Sequence, residues 1–91
     1  MKKSKKVEEL CGKVKKMMEV LINDRTIPRN IRNAVSKAKE EIEKGIDEVK
    51  LASAVHILDE ISNDPNMPLY ARTQIWNIVS QLEEIRRIVA K

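Results

Sequence analysis

The chain nearly repeats itself at an offset of 40 positions, and the repeated residues are the kinds that stop one helix and start another. Asn23, Asp24, Pro28 and Arg32 fall on Asn63, Asp64, Pro68 and Arg72, with Ile27 over Met67 and Val35 over Ile75. Thr26 falls on Asn66, and apolar Met17 and Met18 fall on Ile57 and Leu58 in the preceding segments. Asp, Asn and Thr hydrogen-bond nearby backbone in turns and at helix N-termini, and Pro is tolerated where no intrahelical N–H is needed. Two such junctions predict two helical hairpins built to one plan.

Hydrophobic periodicity fills in the helices. Val7, Leu10, Cys11, Val14, Met17, Met18, Leu21 and Ile22 recur at three- and four-residue steps, which predicts a first helix over about 4–22 with residues 1–3 frayed. Thr26 as a cap and Pro28 in the first turn predict a second helix over 27–44, with a thinner, Ala-rich stripe. Gly45 is expected in the left-handed conformation beyond that helix, and Asp47 caps a third over 47–62. Ile46 and Leu51 occupy the positions of a hydrophobic staple across this short link, which forces the two helices antiparallel. The third helix carries an unusually wide apolar arc, suited to two neighbours or to a partner molecule. A fourth is expected over 67–90, long enough that its end should project.

The fold class expected is therefore all-α: an up-and-down four-helix bundle of two hairpins related by a repeat of about 40 residues, in one domain spanning 1–91. Composition agrees. The 91 residues are 42% hydrophobic and 35% charged, with no Phe, one Trp and one Tyr, a recipe for helices rather than strands.

The net charge of +4 comes from one place. Lys2, Lys3, Lys5 and Lys6 supply four of the 18 cations, which leaves 14 to balance the 14 acids of residues 7–91. The basic start of the chain, with Arg25 and Arg29 and help from Arg32, is the candidate phosphate contact. Cys11 is the single cysteine, so no internal disulfide forms and no thiolate cage holds a metal; with no long apolar run, a cytoplasmic protein off the membrane is expected. No cofactor motif is present.

Other polar constellations favour structure over chemistry. Asp24 with Arg32 and Asp64 with Arg72 are candidate junction pairs, each Asp accepting at a helix start while each Arg reaches back across the turn. Ser53, His56 and Asp59 spell a hydrolytic triad at three-residue steps, but adjacent turns of one helix do not converge on a substrate atom. A di-metal carboxylate site would need a Glu-x-x-His motif, which is absent, and the acidic pairs Glu8-Glu9, Glu40-Glu41 and Glu83-Glu84 are adjacent residues pointing in different directions. Tyr70 and Trp76, the only aromatic side chains, are too few for stacked single-stranded bases and are candidate interaction residues instead.

In its period and its Asp, Pro, Arg order the junction resembles that of HEAT-type repeats. Here Pro and Arg lie four residues apart rather than at the closer spacing of those repeats, and two hairpins are fewer than an open solenoid requires, so closure into a bundle is expected. More specifically, the runs Ile27-Pro28-Arg29-Asn30-Ile31-Arg32 and Leu58-Asp59-Glu60-Ile61-Ser62-Asn63-Asp64-Pro65-Asn66-Met67-Pro68 resemble the archaeal uncharacterised protein family 0147 over nearly the whole chain. That resemblance implies an intracellular four-helix bundle with no established activity and no functional residues to carry over.

These readings converge on a non-enzymatic protein-interaction or scaffold module, acting through the arc of the third helix or the far end of the fourth. The partner expected is a protein, a second copy of the chain included. The alternative is an accessory to nucleic acid or the ribosome, held by the basic N-terminal segment.

Overall fold

Burying the apolar stripes of four amphipathic segments against one another produces the architecture. The computed structural model describes the backbone of residues 2–90 and the side chains of residues 5–90. Four helices follow in order: α1 (Lys2–Ile22), α2 (Arg29–Lys44), α3 (Glu48–Ile61) and α4 (Leu69–Val89). Among the described residues, α1 packs on α2 and α4, α3 packs on α2 and α4, and the backbones of the diagonal pairs stand farther apart. That ring of neighbours is an up-and-down four-helix bundle, 41 Å long and about half as wide.

One continuous core runs down the bundle axis. Val14, Met18, Ile31, Val35, Leu51, Leu58, Ile75, Ile78, Leu82 and Ile85 are among its fully buried members. Each such side chain contributes about 1.5 to 3 kcal/mol relative to exposure. No polar or charged residue among those described is buried, so no acid points inward. Cys11 and Met18 belong to this core, and Met17 packs against its edge.

Helix boundaries depart from the sequence reading in instructive ways. Lys2 and Lys3 are helical rather than frayed, while Met1 and the side chains of Lys2 and Lys3 lie outside the described residues. Helices α2 and α4 begin two residues later than expected, after Pro28 and Pro68, both extended with ψ 148°. The cause is a tight turn ahead of each Pro: Ile27 donates its N–H to Asp24 O and Met67 donates to Asp64 O. The Pro carbonyls then accept from Ile31 and Arg32 in one junction and from Ala71 and Arg72 in the other. Thr26 consequently does not cap α2, because its N–H and hydroxyl are given to Asp24.

At the other end Gly45 is extended, φ 169° and ψ 156°, not left-handed. The chain leaves α2 straight, Ile46 packs against the core, and Asp47 caps α3 by accepting from Lys50 N–H at 2.9 Å. A Cβ on Gly45 would meet nothing closer than 3.6 Å, so no backbone conformation demands glycine there.

The long fourth helix has a long companion. Both α1 and α4 contain 21 residues against 16 and 14 for α2 and α3, so α1 and α4 run about 31 Å side by side and extend past the α2–α3 link together. An exposed charge cluster ties α1 to α2, where Lys39 lies 2.9 Å from Glu43 and 3.6 Å from Glu19. Donating its Nζ hydrogen to Glu43 raises the Lys39 pKa, and accepting that bond lowers the pKa of Glu43, with Lys15 assisting.

Candidate functional site

The two Asp–Pro junctions meet at one end of the bundle, where each is bonded by the hairpin it does not belong to. Tyr70, in the first turn of α4, donates its hydroxyl to Asp24 Oδ2 at 2.8 Å. Asn30, in the first turn of α2, donates its amide to Asp64 Oδ2 at 2.7 Å. The remaining carboxylate oxygens stay local: Asp24 Oδ1 accepts from Thr26 N–H and hydroxyl, and Asp64 Oδ1 accepts from Asn66 N–H. Tyr70 and Thr26 hydroxyls are 2.6 Å apart, so two hydroxyls and a carboxylate form one cluster. The Thr26 hydroxyl, the Tyr70 hydroxyl and the Thr26 N–H hold the Asp24 carboxyl below its ordinary 3.8, with a smaller contribution from Arg32.

Neither junction arginine bonds its Asp carboxylate. Arg32 Nε donates to Ile27 O at 2.9 Å. Arg72 Nη1 donates to Ser62 O, and its Nη2 donates to Asp64 O at 3.2 Å. Arg72 thus adds charged donors to carbonyls just past the end of α3, and Arg32 adds one to a carbonyl of the turn just ahead of α2. Nothing local in the sequence signals the Asn30–Asp64 bond, although Asn30 and Tyr70 stand 40 positions apart like the aspartates they bond.

This cluster has the chemistry of a clamp. Its carboxylates, hydroxyls and the Asn30 amide bond one another across the two hairpins. Ser53, His56 and Asp59 do not assemble either: His56 is exposed and its Nε2 lies 3.4 Å from Glu60 Oε2 at the next turn. Among the described residues no group of three His, Cys, Asp or Glu side chains could hold a metal ion. A shallow, open groove between α2 and α3 is lined by Ala34, Lys37, Ile57, Glu60 and Ile61.

The candidate phosphate ligands fall into two separate places. Lys5 and Lys6 lie near the start of α1, whereas Arg25 and Arg29 flank the junction beyond its far end. From Lys5 to Ile22 the helix alone rises about 26 Å, so one phosphate cluster cannot include both groups. Arg32 is half-buried and occupied by Ile27 O.

The outer surface of α4 carries the other candidates. Trp76 is 58% exposed and Leu69, seven residues earlier on the same face, is 76% exposed. Tyr70 is exposed over its ring while its hydroxyl is bonded. The arc of α3 is largely consumed by the core, with Leu51, Ala54, Val55 and Leu58 buried and Val49 left in solvent. Among the described residues no helix is long and apolar enough to cross a membrane.

The model of an uncharacterised protein family, UPF0147, matches residues 1–85. A UPF0147 protein of Methanocaldococcus jannaschii is 58% identical over 81 residues, covering 87% of this chain and 87% of the relative. One from Pyrococcus furiosus is 41% identical, over 88% and 89% of the two chains. Among solved structures, an unknown-function protein, MMP1188, superposes with a TM-score of 0.79 at 44% identity, covering 84% of this chain and 89% of that one. A UPF0147 protein from Thermoplasma acidophilum gives 0.79 at 31% identity, over 86% and 94%. Family, length and four-helix fold agree: the chain belongs to the archaeal UPF0147 family.

Proposed function

We propose that the chain is a non-enzymatic protein-interaction module whose docking surface is the outer face of α4. One observation carries this reading: Leu69 and Trp76 stand in solvent two turns apart while the core beneath them is complete without either. A large indole left 58% exposed is the sort of side chain that anchors binding hot spots. The position differs from the far end of α4 expected from its length, because that end is flanked by α1. The absence of catalysis belongs to this reading. It is supported by polar clusters whose groups bond each other and by the shallow, open form of the groove between α2 and α3. A cytoplasmic location belongs to it too, supported by one unpaired cysteine buried in the core.

The test is affinity capture from an archaeal lysate with the natural chain and with a Leu69→Ala/Trp76→Ala double variant, alongside sedimentation to detect self-association. A protein, or a second copy of the chain, retained by the natural chain and lost by the variant with helicity intact is the expected result. Equal capture by both chains would remove α4 from the account.

A further inference from the structure

The side of the bundle formed by α1 and α4 carries a run of exposed lysines. Register places the residues. On α4, Arg72 and Arg86 are turned toward α3, where they meet Ser62 O, Asp64 O and Glu48. Tyr70 is turned the other way, toward the α1–α2 junction. Gln74, Asn77 and Gln81 follow Tyr70 at steps of four, three and four and share its flank, beside α1. On α1, Glu19 and Lys15 are turned toward α2, where they act on Lys39 and Glu43. Lys6 and Lys13, at a seven-residue step, therefore lie on the opposite flank, beside α4, with Lys5 and Lys16 on the outward strip next to them.

All four of these lysines are exposed, and among the described residues none has a carboxylate within 4 Å. Glu9 is the single acid on their strip of α1. Level with Lys13 and Lys16, α4 contributes neutral amides and hydroxyls, and the chain has no acidic residue from Pro65 to Leu82; level with Lys5 and Lys6, the acids Glu83 and Glu84 are paired with Arg86 and Arg87. The α2–α3 side is different, with Glu40, Glu41, Glu43, Glu48, Asp59 and Glu60 spread among its lysines.

We propose that the α1–α4 face binds duplex RNA, with Lys5, Lys6, Lys13 and Lys16 on phosphates and Gln74 and Asn77 on ribose hydroxyls. This goes beyond the protein-docking reading and rests on different residues. The cations supply the sequence-independent attraction to a polyanion. An acidic protein helix would instead require apolar side chains to cover its own stripe, and this flank offers only Val20, at one end. RNA is favoured over DNA by shape and by the amides. Two helices side by side present a broad surface with nothing projecting to enter a B-form major groove, whereas the A-form minor groove is wide, shallow and lined with 2′-hydroxyls. An amide side chain can both donate to and accept from such a hydroxyl.

The experiment is fluorescence anisotropy of a labelled RNA duplex of about 20 base pairs against the full chain, with a DNA duplex of the same sequence as comparison. Four neutralised phosphates predict a slope of about −3.6 in log affinity against log salt, or a loss of roughly 150-fold between about 50 and 200 mM. Lys13→Gln/Lys16→Gln should reduce the slope to about −1.8. Lys37→Gln/Lys44→Gln, which removes the same charge from α2, should leave it unchanged. Glu9→Gln should tighten binding several-fold, and Gln74→Ala/Asn77→Ala should narrow the preference for RNA over DNA. No binding at about 50 mM salt, equal losses from the two lysine pairs, equal affinity for DNA, or full displacement by polyglutamate at matched charge would each overturn the proposal. Circular dichroism of every variant excludes loss of fold as the cause.

Discussion

The Tyr70 hydroxyl donates to Asp24 across 46 positions of sequence, binding the start of α4 to the turn between α1 and α2. Asn30 makes the corresponding bond to Asp64 across 34 positions, binding the start of α2 to the turn between α3 and α4. Each turn is shaped by its own Asp and fixed in place by the other hairpin. Helix pairs joined by short links can slide along each other while keeping their stripes buried, and two crossed bonds at one end oppose that sliding.

The Tyr70–Asp24 bond predicts a pH-dependent cost for its removal. Asp24 is held below its ordinary 3.8 by the Thr26 hydroxyl and then by the Tyr70 hydroxyl, so its contribution is present above that value and lost as pH falls through the folded one. Tyr70→Phe should lower the midpoint of thermal unfolding by a few degrees at pH 7. The gap between variant and natural chain should close below pH 3.8, and a gap constant from pH 7 to 2 would show that ring packing, not the hydroxyl, is responsible.

The two arginines should differ. Arg72 satisfies two carbonyls, Ser62 O and Asp64 O, while Arg32 satisfies Ile27 O alone. Arg72→Met should cost about 1.5 to 3 kcal/mol because half-buried carbonyls lose charged donors, and Arg32→Met should cost less. Arg72→Lys should recover part of the loss, since an ammonium can reach one carbonyl but lacks the planar fork that spans two. Urea unfolding at equal slope would measure all three, and equal costs for the Arg72 and Arg32 variants would refute the assignment.

How much of this was legible in sequence depends on the range of the interaction. The four helices and their stripes follow from periodicity, because core-facing positions such as Ile75, Ile78, Leu82 and Ile85 must recur at helical steps to be buried at all. The Asp47 cap is local and was readable. Thr26 and Gly45 were not: each residue type permits several local conformations, and neighbours decided between them. Thr26 bonds Asp24 rather than capping α2, and Gly45 extends so that Ile46 can reach the core. The spacing of Arg32 and Arg72 places each within reach of its own junction, but which carbonyls accept depends on how the turn between the helices is folded. The Lys5, Lys6, Lys13 and Lys16 surface was hidden for another reason. It is assembled from α1 beside α4, and a linear count sees only a basic tail on a neutral body.

Stability and surface exposure should separate cleanly along α4. Ile78→Ala removes a fully buried side chain and should cost about 2 to 5 kcal/mol. Trp76→Ala, two positions away but outward, should cost less than about 1 kcal/mol. Comparable costs would mean that the indole supports the fold, which would leave no spare anchor for a partner.

Cys11 predicts an alkaline effect. Burial pushes its thiol above the ordinary 9.0, with Lys15 opposing in part. A raised pKa means that the folded chain keeps its proton longer than the unfolded one. Stability from this site is therefore complete below pH 9.0 and declines as pH rises toward the folded value. Cys11→Ala should remove the decline while costing some stability at neutral pH. Native chain at pH 7 should react with a thiol reagent far more slowly than urea-unfolded chain, and equal rates would place the thiol in solvent.

Gly12 offers a gain. It lies in the middle of α1, exposed, with nothing within 4 Å of the position a Cβ would take. Glycine inside a helix costs about 0.5 to 1 kcal/mol relative to alanine through backbone entropy, and here no close approach by a neighbour requires it. Gly12→Ala should therefore raise stability by about that amount, or a few degrees in midpoint. The same methyl lies on the outward strip of α1 between Lys5 and Lys16, where it adds bulk without charge. A stabilised variant with unaltered RNA affinity would show that phosphate contact there is made by the long lysine side chains. A stabilised variant that loses affinity would show that RNA approaches the helix backbone itself, with Gly12 at the point of closest contact.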